Sequence, residues 1–237
     1  MAVGSDRGRL LGEPHAIDRE QLGDPAPEVA IGLLGRLLVR DLGAEGTAIA
    51  RIVEVEAYRP DDPASHSYAR RTPRCEPMFW QPGTGYVYRS YGVHWCLNVV
   101  VEPSEIGAAV LVRAATAIRG VDAVRRRRPK AASDRELLRG PGRLTAGLDI
   151  DGYRHDAGDL LDGDAGLWLA ADAFEVAAAD VGCGPRVGVS RAAEVPWRWW
   201  LADAPEVSVY RRSPRAPTGE HRAGDDRPHA TGARRSE

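Results

Sequence analysis

The chain has 237 residues, of which 43% are apolar and 28% charged, and its formal net charge is −2. That is the composition of a soluble globular protein of one large or two small domains, long enough to bury a core. No apolar run approaches the ~18 residues of a membrane-spanning helix, and the opening MAVGSDRGRL lacks the apolar core of a signal peptide, so a cytoplasmic protein with no membrane partner is expected.

Residues 1–26 are polar and contain Gly and Pro, which predicts a loosely ordered lead-in. From Pro27 to Leu42, Val29, Leu33, Leu34, Leu37 and Leu38 recur at helical spacing, predicting an amphipathic helix that stops at Gly43. Thr47–Tyr58 alternates and is rich in β-branched residues, so it reads as a strand. Val53, Val55 and Ala57 fall on one face of it, and Glu54, Glu56 and Tyr58 on the other. Arg59–Phe79 has no periodicity and many Pro, Ser, Arg and Asp residues. A loop that long inside a compact domain is usually functional.

Gly85–Tyr91 and Val93–Val101 are strand-like runs meeting at Gly92, a hairpin with an aromatic tip. Ala108–Ala115 is a further strand. A helix is expected over Ile118–Arg128, and a helix, a Gly-Pro-Gly turn and a second helix start over Glu136–Leu148. Gly166–Val176, Pro185–Val189 and Val207–Tyr210 read as strands. Residues 212–237 hold almost no large apolar side chains and are expected to be a disordered tail. Without regular βαβ alternation a doubly wound parallel sheet is disfavoured. The expected architecture is one α+β domain over residues 27–211. It would have a curved, mostly antiparallel, open-barrel-like sheet, surrounding helices and a protruding hairpin.

Several residues could carry chemistry. Glu54 and Glu56 share a strand face beside Tyr58, which fits either a solvated polar face or a general base next to a long loop. Asp61, Asp62 and His66 raise the idea of a metal site, but their spacing matches no metal template, so none is expected. Arg70, Arg71 and Arg74 suit phosphates or a solvated loop. Between Arg59 and Lys130 twelve basic residues stand against six acidic ones, so a basic face can exist on a nearly neutral chain. Tyr86 and Tyr88 share a strand face. Tyr91 at the turn has little core to reach, as a wedge entering a nucleic-acid stack would. Asn98 and Arg113 lie in apolar runs and must find partners in the protein or in a ligand. Cys75, Cys96 and Cys183 form neither a disulfide framework nor a C-x-x-C motif and are expected to be reduced thiols.

The ordered runs VEVEAYRPDDPASHSYARRTPRCEPMF, PGTGYVYRSYGVHWCLNVV, AAVLVRA, GPGRLTAGLDI and PRVGVSRAAE resemble the alkyladenine (3-methyladenine) DNA glycosylase family, in a bacterial member. The resemblance spans about Glu28 to Tyr210. It implies a monomeric protein that binds duplex DNA and excises damaged purines without metal or organic cofactor. It implies Glu56 as the base that activates water and Arg113 as the residue that helps position it. By the same match Tyr58, His66 and Tyr88 would hold a flipped base, Asn98 would form the pocket floor, and Tyr91 would enter the duplex. Two departures stand out: the Glu56–His66 spacing is one residue short, and Cys75-Glu76-Pro77 replaces the more usual residues after the TPR run. Lys130 is the only lysine, and it lies away from these motifs. A Schiff-base lyase needs an amine, so a monofunctional glycosylase is expected. The alternative is a protein that senses modified bases without cutting them.

Overall fold

The computed structural model describes residues 6–217. In it nine strands form one sheet, mixed with three α-helices and several 3₁₀ turns. In chain order these are β1 (His15–Ala16), α1 (Ala26–Leu33), β2 (Leu37–Asp41), β3 (Thr47–Tyr58), β4 (Gly85–Ser90), β5 (His94–Val101), β6 (Ala108–Arg119), α2 (Val121–Arg127), α3 (Pro141–Gly147), β7 (Leu167–Ala171), β8 (Val181–Gly184) and β9 (Arg198–Leu201). The strand order is β1-β7-β2-β3-β6-β5-β4, and every pairing is antiparallel. The β8–β9 hairpin joins through β9, which takes the edge of β3 beyond the end of β2. The expected α+β class, antiparallel sheet and hairpin are all present.

β3 is the central strand, and its side-chain parity changes midway. Ala48, Ala50 and Ile52 enter the main core, but so do Val53, Val55 and Ala57. The pairing with β6 skips Val53 on one strand and Arg113 on the other. An extra residue in a ladder bends the strand and re-aims the side chains beyond it. Here it keeps the apolar residues of both halves in the core and leaves Glu54, Glu56 and Tyr58 on the other face. Fully burying each of Ile52, Val53 and Val55 contributes about 1.5–3 kcal/mol, which holds the strand in this register.

The predicted helix over 27–42 is two elements. α1 ends at Leu33, Gly35 takes φ 81°, and β2 follows. The run Leu33-Leu34-Gly35-Arg36-Leu37-Leu38-Val39 fits helical spacing, but β2 is buried on both faces, and such a strand has no alternation to show. The described part of the lead-in, from residue 6 on, is also structured: β1 pairs with β7, and Ile17 and Leu22 are buried, while residues 1–5 lie outside the described residues. β6 runs on to Arg119, so α2 starts at Val121, later than expected. The strands predicted at 185–189 and 207–210 are absent, and β8 and β9 flank the first of these segments instead. In the predicted tail, Ser213 and Ala216 are buried and Arg212 pairs with Glu194. Residues 218–237 lie outside the described residues.

The 59–79 loop builds a small second core of Cys75, Met78 and Phe79 against Tyr86, Val100 and Ala109. This anchors an otherwise irregular segment on the sheet. At the other side, residues 151–158 brace β4. Gly85 N donates to Gly158 O at 2.7 Å, Val87 N donates to Asp156 Oδ1 at 2.9 Å, and the Tyr153 ring meets Trp95 edge-on at 5.5 Å. The hairpin therefore projects as a stiffened unit. Its tip carries Tyr91 at φ 50° and Gly92 at φ 69°, with Val93 N bonded to Ser90 O. Two successive positive-φ residues are what a type I′ hairpin turn requires. Tyr91, a bulky residue that disfavours this region, is 90% exposed there.

Candidate active site

One cavity of about 720 Å³ opens beside the hairpin, between β3, β4, β5, β6, the 59–79 loop and residues 187–191. That volume suits a small planar ligand. Tyr58, His66, Tyr86, Tyr88, Asn98 and Arg113 line it, Tyr91 stands at its mouth, and Arg74 and Arg191 are exposed on its rim. The sequence-predicted site residues thus converge from four separate strands and a loop, with Arg70 and Arg71 apart.

The aromatic wall is ordered by pairwise contacts. Tyr86 and Tyr88 stack at 5.3 Å with a 29° interplanar angle, and His66 meets Tyr88 edge-on at 4.5 Å. His66 Nδ1 and the Tyr86 hydroxyl share a hydrogen bond of 2.9 Å. Burial of the ring, with a smaller contribution from Arg74, lowers the His66 imidazole from its usual 6.5 to about 4. The residue is exposed at the cavity mouth, so solvent screens part of that effect, but the direction leaves His66 neutral at pH 7. Desolvation likewise raises the Tyr58, Tyr86 and Tyr88 phenols above their usual range, keeping all three as neutral donors. Asn98 also lines the cavity, and its Nδ2 donates to Tyr86 O at 2.9 Å, which fixes the amide orientation.

Behind the wall lies a fully buried carboxylate. Glu56 accepts from the Tyr58 hydroxyl at 2.8 Å, from Arg113 Nη1 at 3.2 Å and from Val187 N at 2.7 Å. Glu54, also fully buried, accepts from Arg113 Nε at 3.3 Å and from Ser208 N at 2.8 Å, and pairs with Arg198 Nε at 3.1 Å. Burial works against the Arg113 charge, but Glu56 and Glu54 outweigh it and raise its pKa. Neither carboxylate is on a solvated face, so that reading of the strand is overturned.

The loop arginines differ among themselves. Arg71 is held by Glu76 at 2.6 Å and by Glu105 at 2.5 Å, over the Phe79 ring, which occupies its charge. Arg74 lies 5.5 Å from the Tyr88 ring centroid and donates to Arg89 O. Arg70 is exposed and, among the described residues, pairs with no carboxylate. Asp62 is bound by Arg186 and so is not available to a ligand set with Asp61 and His66. No cluster of three His, Cys, Asp or Glu side chains suited to a metal occurs among the described residues.

Sequence reasoning missed Arg186, Val187 and Arg198. Arg186 is 1% exposed, grips Asp62 with both Nη atoms, donates to Ala57 O and stacks 4.7 Å from the Tyr58 ring. The Pro-Arg-Val run offered a signal only through the resemblance, because an irregular segment has no periodicity. Val187 acts through its backbone N–H, which no side-chain pattern can report.

Fold and site together define a mixed α+β protein with an aromatic cavity that closes on a buried carboxylate–guanidinium pair. A family model described as methylpurine-DNA glycosylase (MPG) matches residues 20–205. A protein of Mycolicibacterium paratuberculosis (strain ATCC BAA-968 / K-10) is 46% identical over 204 residues, covering 84% of this chain and 95% of its own length. One of Nocardia farcinica (strain IFM 10152) is 45% identical over 206 residues, with 84% and 93% covered. One of Rhodococcus jostii (strain RHA1) is 42% identical over 215 residues, with 88% and 91% covered. Each of the three bears the name "Putative 3-methyladenine DNA glycosylase". The chain belongs to the methylpurine-DNA glycosylase family.

Proposed function

We propose that this protein is a monofunctional DNA glycosylase that flips alkylated or deaminated purines out of duplex DNA and hydrolyses their N-glycosidic bond. The observation that carries the reading is the buried Glu56 at the end of an aromatic cavity, tied to Arg113 and Tyr58 that line it. Extruding a base costs a few kcal/mol, least at damaged pairs, and stacking on aromatics returns about 1–3 kcal/mol per base. Tyr58, Tyr88 and His66 supply those faces. A cationic 3- or 7-alkylpurine gains further from the tyrosine faces by cation–π attraction.

Glu56 takes a proton from the water that attacks C1′ while the base departs with the bond electrons. Arg113 orients that water and balances the carboxylate. The fixed Asn98 amide fills the floor where guanine's exocyclic amine would go, which biases the pocket against normal guanine. Lys130 is exposed after α2 and outside the cavity lining, in keeping with hydrolysis and no Schiff base.

The test is incubation of labelled duplexes carrying one 7-methylguanine, hypoxanthine or ethenoadenine, in EDTA, with and without alkali. Strand breakage only after alkali, unaffected by EDTA, is expected. Folded protein that binds these duplexes yet leaves every lesion in place, and releases no 3-methyladenine from methylated DNA, would replace the proposal by the sensor reading.

The exposed Tyr91 on its braced turn is the wedge. Tyr91→Ala is expected to lower the single-turnover excision rate at least tenfold while non-specific duplex affinity changes little, since the loss falls on the extruded state. An equal loss in both measurements would remove the wedge role.

A further inference from the structure

Glu54 and Arg198 stand behind the cavity rather than in its lining. β9 takes the edge of β3 so that Arg198 is opposite Glu56 in register, and its Nε meets Glu54 at 3.1 Å. We propose that Glu54 and Arg198 are positioning residues for the Glu56–Arg113 pair, acting as a charge-balancing rack behind it. The inference rests on the glycosylase reading for its activity readout.

Charge balance is the first ground. Glu54 and Glu56 have no exposed side-chain surface, and the Arg113 and Arg198 side chains are 9% and 5% exposed. Two carboxylates stripped of water on one guanidinium cannot both stay ionised cheaply, and one of them takes a proton. Arg198 supplies the second positive charge. The other groups near Glu56 leave this count unchanged. Tyr58, Tyr88 and Cys96 are neutral, their pKa values raised by burial, and Arg186 is matched by Asp62.

Geometry is the second. Glu54 Oε1 engages Arg113 Nε while Arg113 Nη1 reaches Glu56 Oε2. The guanidinium is thereby gripped at two corners, and its plane is fixed. Ser208 locks Glu54 in turn, its N–H on Oε2 and its carbonyl accepting from Arg198 Nη2 at 3.3 Å. No atom of Glu54 or Arg198 needs to meet substrate, so both act through Arg113 and Glu56.

The experiment compares wild type with Arg198→Gln, Glu54→Gln and the double variant, by single-turnover excision and by urea unfolding, between about pH 5 and pH 9. Removing a cation that faces a buried carboxylate moves its titration by about 1–3 pH units. The acid limb of the rate profile is expected to move up by that amount in Arg198→Gln, with rate regained at high pH. In Glu54→Gln it moves the opposite way. In the double variant, which restores one carboxylate to one guanidinium, it returns towards wild type. A structural role alone would lower the rate at every pH and leave the limb in place.

Unfolding reads the same balance without catalysis. Folded Arg198→Gln holds a carboxyl proton that its unfolded chain releases at the ordinary glutamate value of about 4.3, so its folded-state titration is raised. Stability from that proton is present at low pH and lost as pH rises. The deficit of Arg198→Gln against wild type is therefore expected to widen from pH 5 to pH 9. If Arg198→Gln does not fold, a double variant that does fold supports the balance. Unmoved limbs with a pH-independent stability deficit, or a double variant no better than Arg198→Gln, would overturn it. If wild type releases no base, the glycosylase reading fails and the unfolding series alone decides the rack.

Discussion

Glu56→Gln is expected to reduce single-turnover base release by at least about 10³-fold, within the span general-base groups contribute, while lesion-duplex affinity stays within a few-fold of wild type. The change is isosteric and leaves the cavity walls in place. It removes the one fully buried carboxylate, among the described residues, that is bonded to two cavity-lining side chains, Tyr58 and Arg113. The amide also carries a local cost. Glu56 accepts on one oxygen from Val187 N and on the other from Tyr58 and Arg113. A glutamine must turn its NH₂ towards one of these sides, setting donor against donor. One unmatched buried polar group costs about 1–3 kcal/mol, so a lower unfolding midpoint is expected, and the rates must be compared where both proteins are folded. A variant that excises at the wild-type rate would remove Glu56 as the base. One that loses binding and rate together would make it a structural residue.

How far the sequence showed this site depends on the kind of signal each residue gave. The bounds of β3 were legible, because it is rich in β-branched residues and alternates over the run that carries Glu54, Glu56 and Tyr58, but the change of parity at Val53 was not. The hairpin was legible because Gly92 and flanking β-branched residues mark the turn. The convergence of Tyr88, Asn98 and Arg113 was not visible in local pattern, since the antiparallel register of β4, β5 and β6 brings them together. The resemblance carried that step. The helix expected over 27–42 failed where a strand buried on both faces imitates helical spacing. The backbone donor at Val187 had no side-chain signal, and the aromatic-rich run Trp197–Leu201, which holds the strand at Arg198, was a signal passed over. Their positions come from how β9 docks on β3, which is a tertiary fact.

Arg71 shows the same limit from the other side. A basic residue in a polar loop reads as a phosphate ligand, yet Glu76 and Glu105 take its guanidinium. Arg74 and Arg191, exposed on the cavity rim without a carboxylate partner among the described residues, are the better-placed cations for a backbone that approaches Tyr91. Net charge could not separate these cases, because it is the local pairing that decides which positive charge reaches solvent.

The second large effect is expected at Arg186, which ties the two loops that flank the cavity. Its Nη atoms grip Asp62 of the 59–79 loop, Nη1 also donates to Ala57 O at the end of β3, and its guanidinium lies over Tyr58. The next residue, Val187, gives Glu56 its backbone hydrogen bond. Arg186→Met keeps the volume but leaves Asp62, whose side chain is 2% exposed, without its counter-charge. Breaking one side of a buried pair costs about 3–5 kcal/mol, and in a protein of this size each kcal/mol lowers Tm by about 2–4 °C. Thermal unfolding should therefore fall by about 6–20 °C. Asp62→Asn should show a comparable loss, since it strands the cation instead. The Asp62→Asn/Arg186→Met double variant should recover much of the stability, because replacing both charges removes the uncompensated group. It should not recover the excision rate, because nothing then holds Val187 N on Glu56 or the Tyr58 ring in place. Stability and rate would separate in that one protein, and a double variant that regains both would show that Asp62 and Arg186 hold the fold without setting the geometry at Glu56.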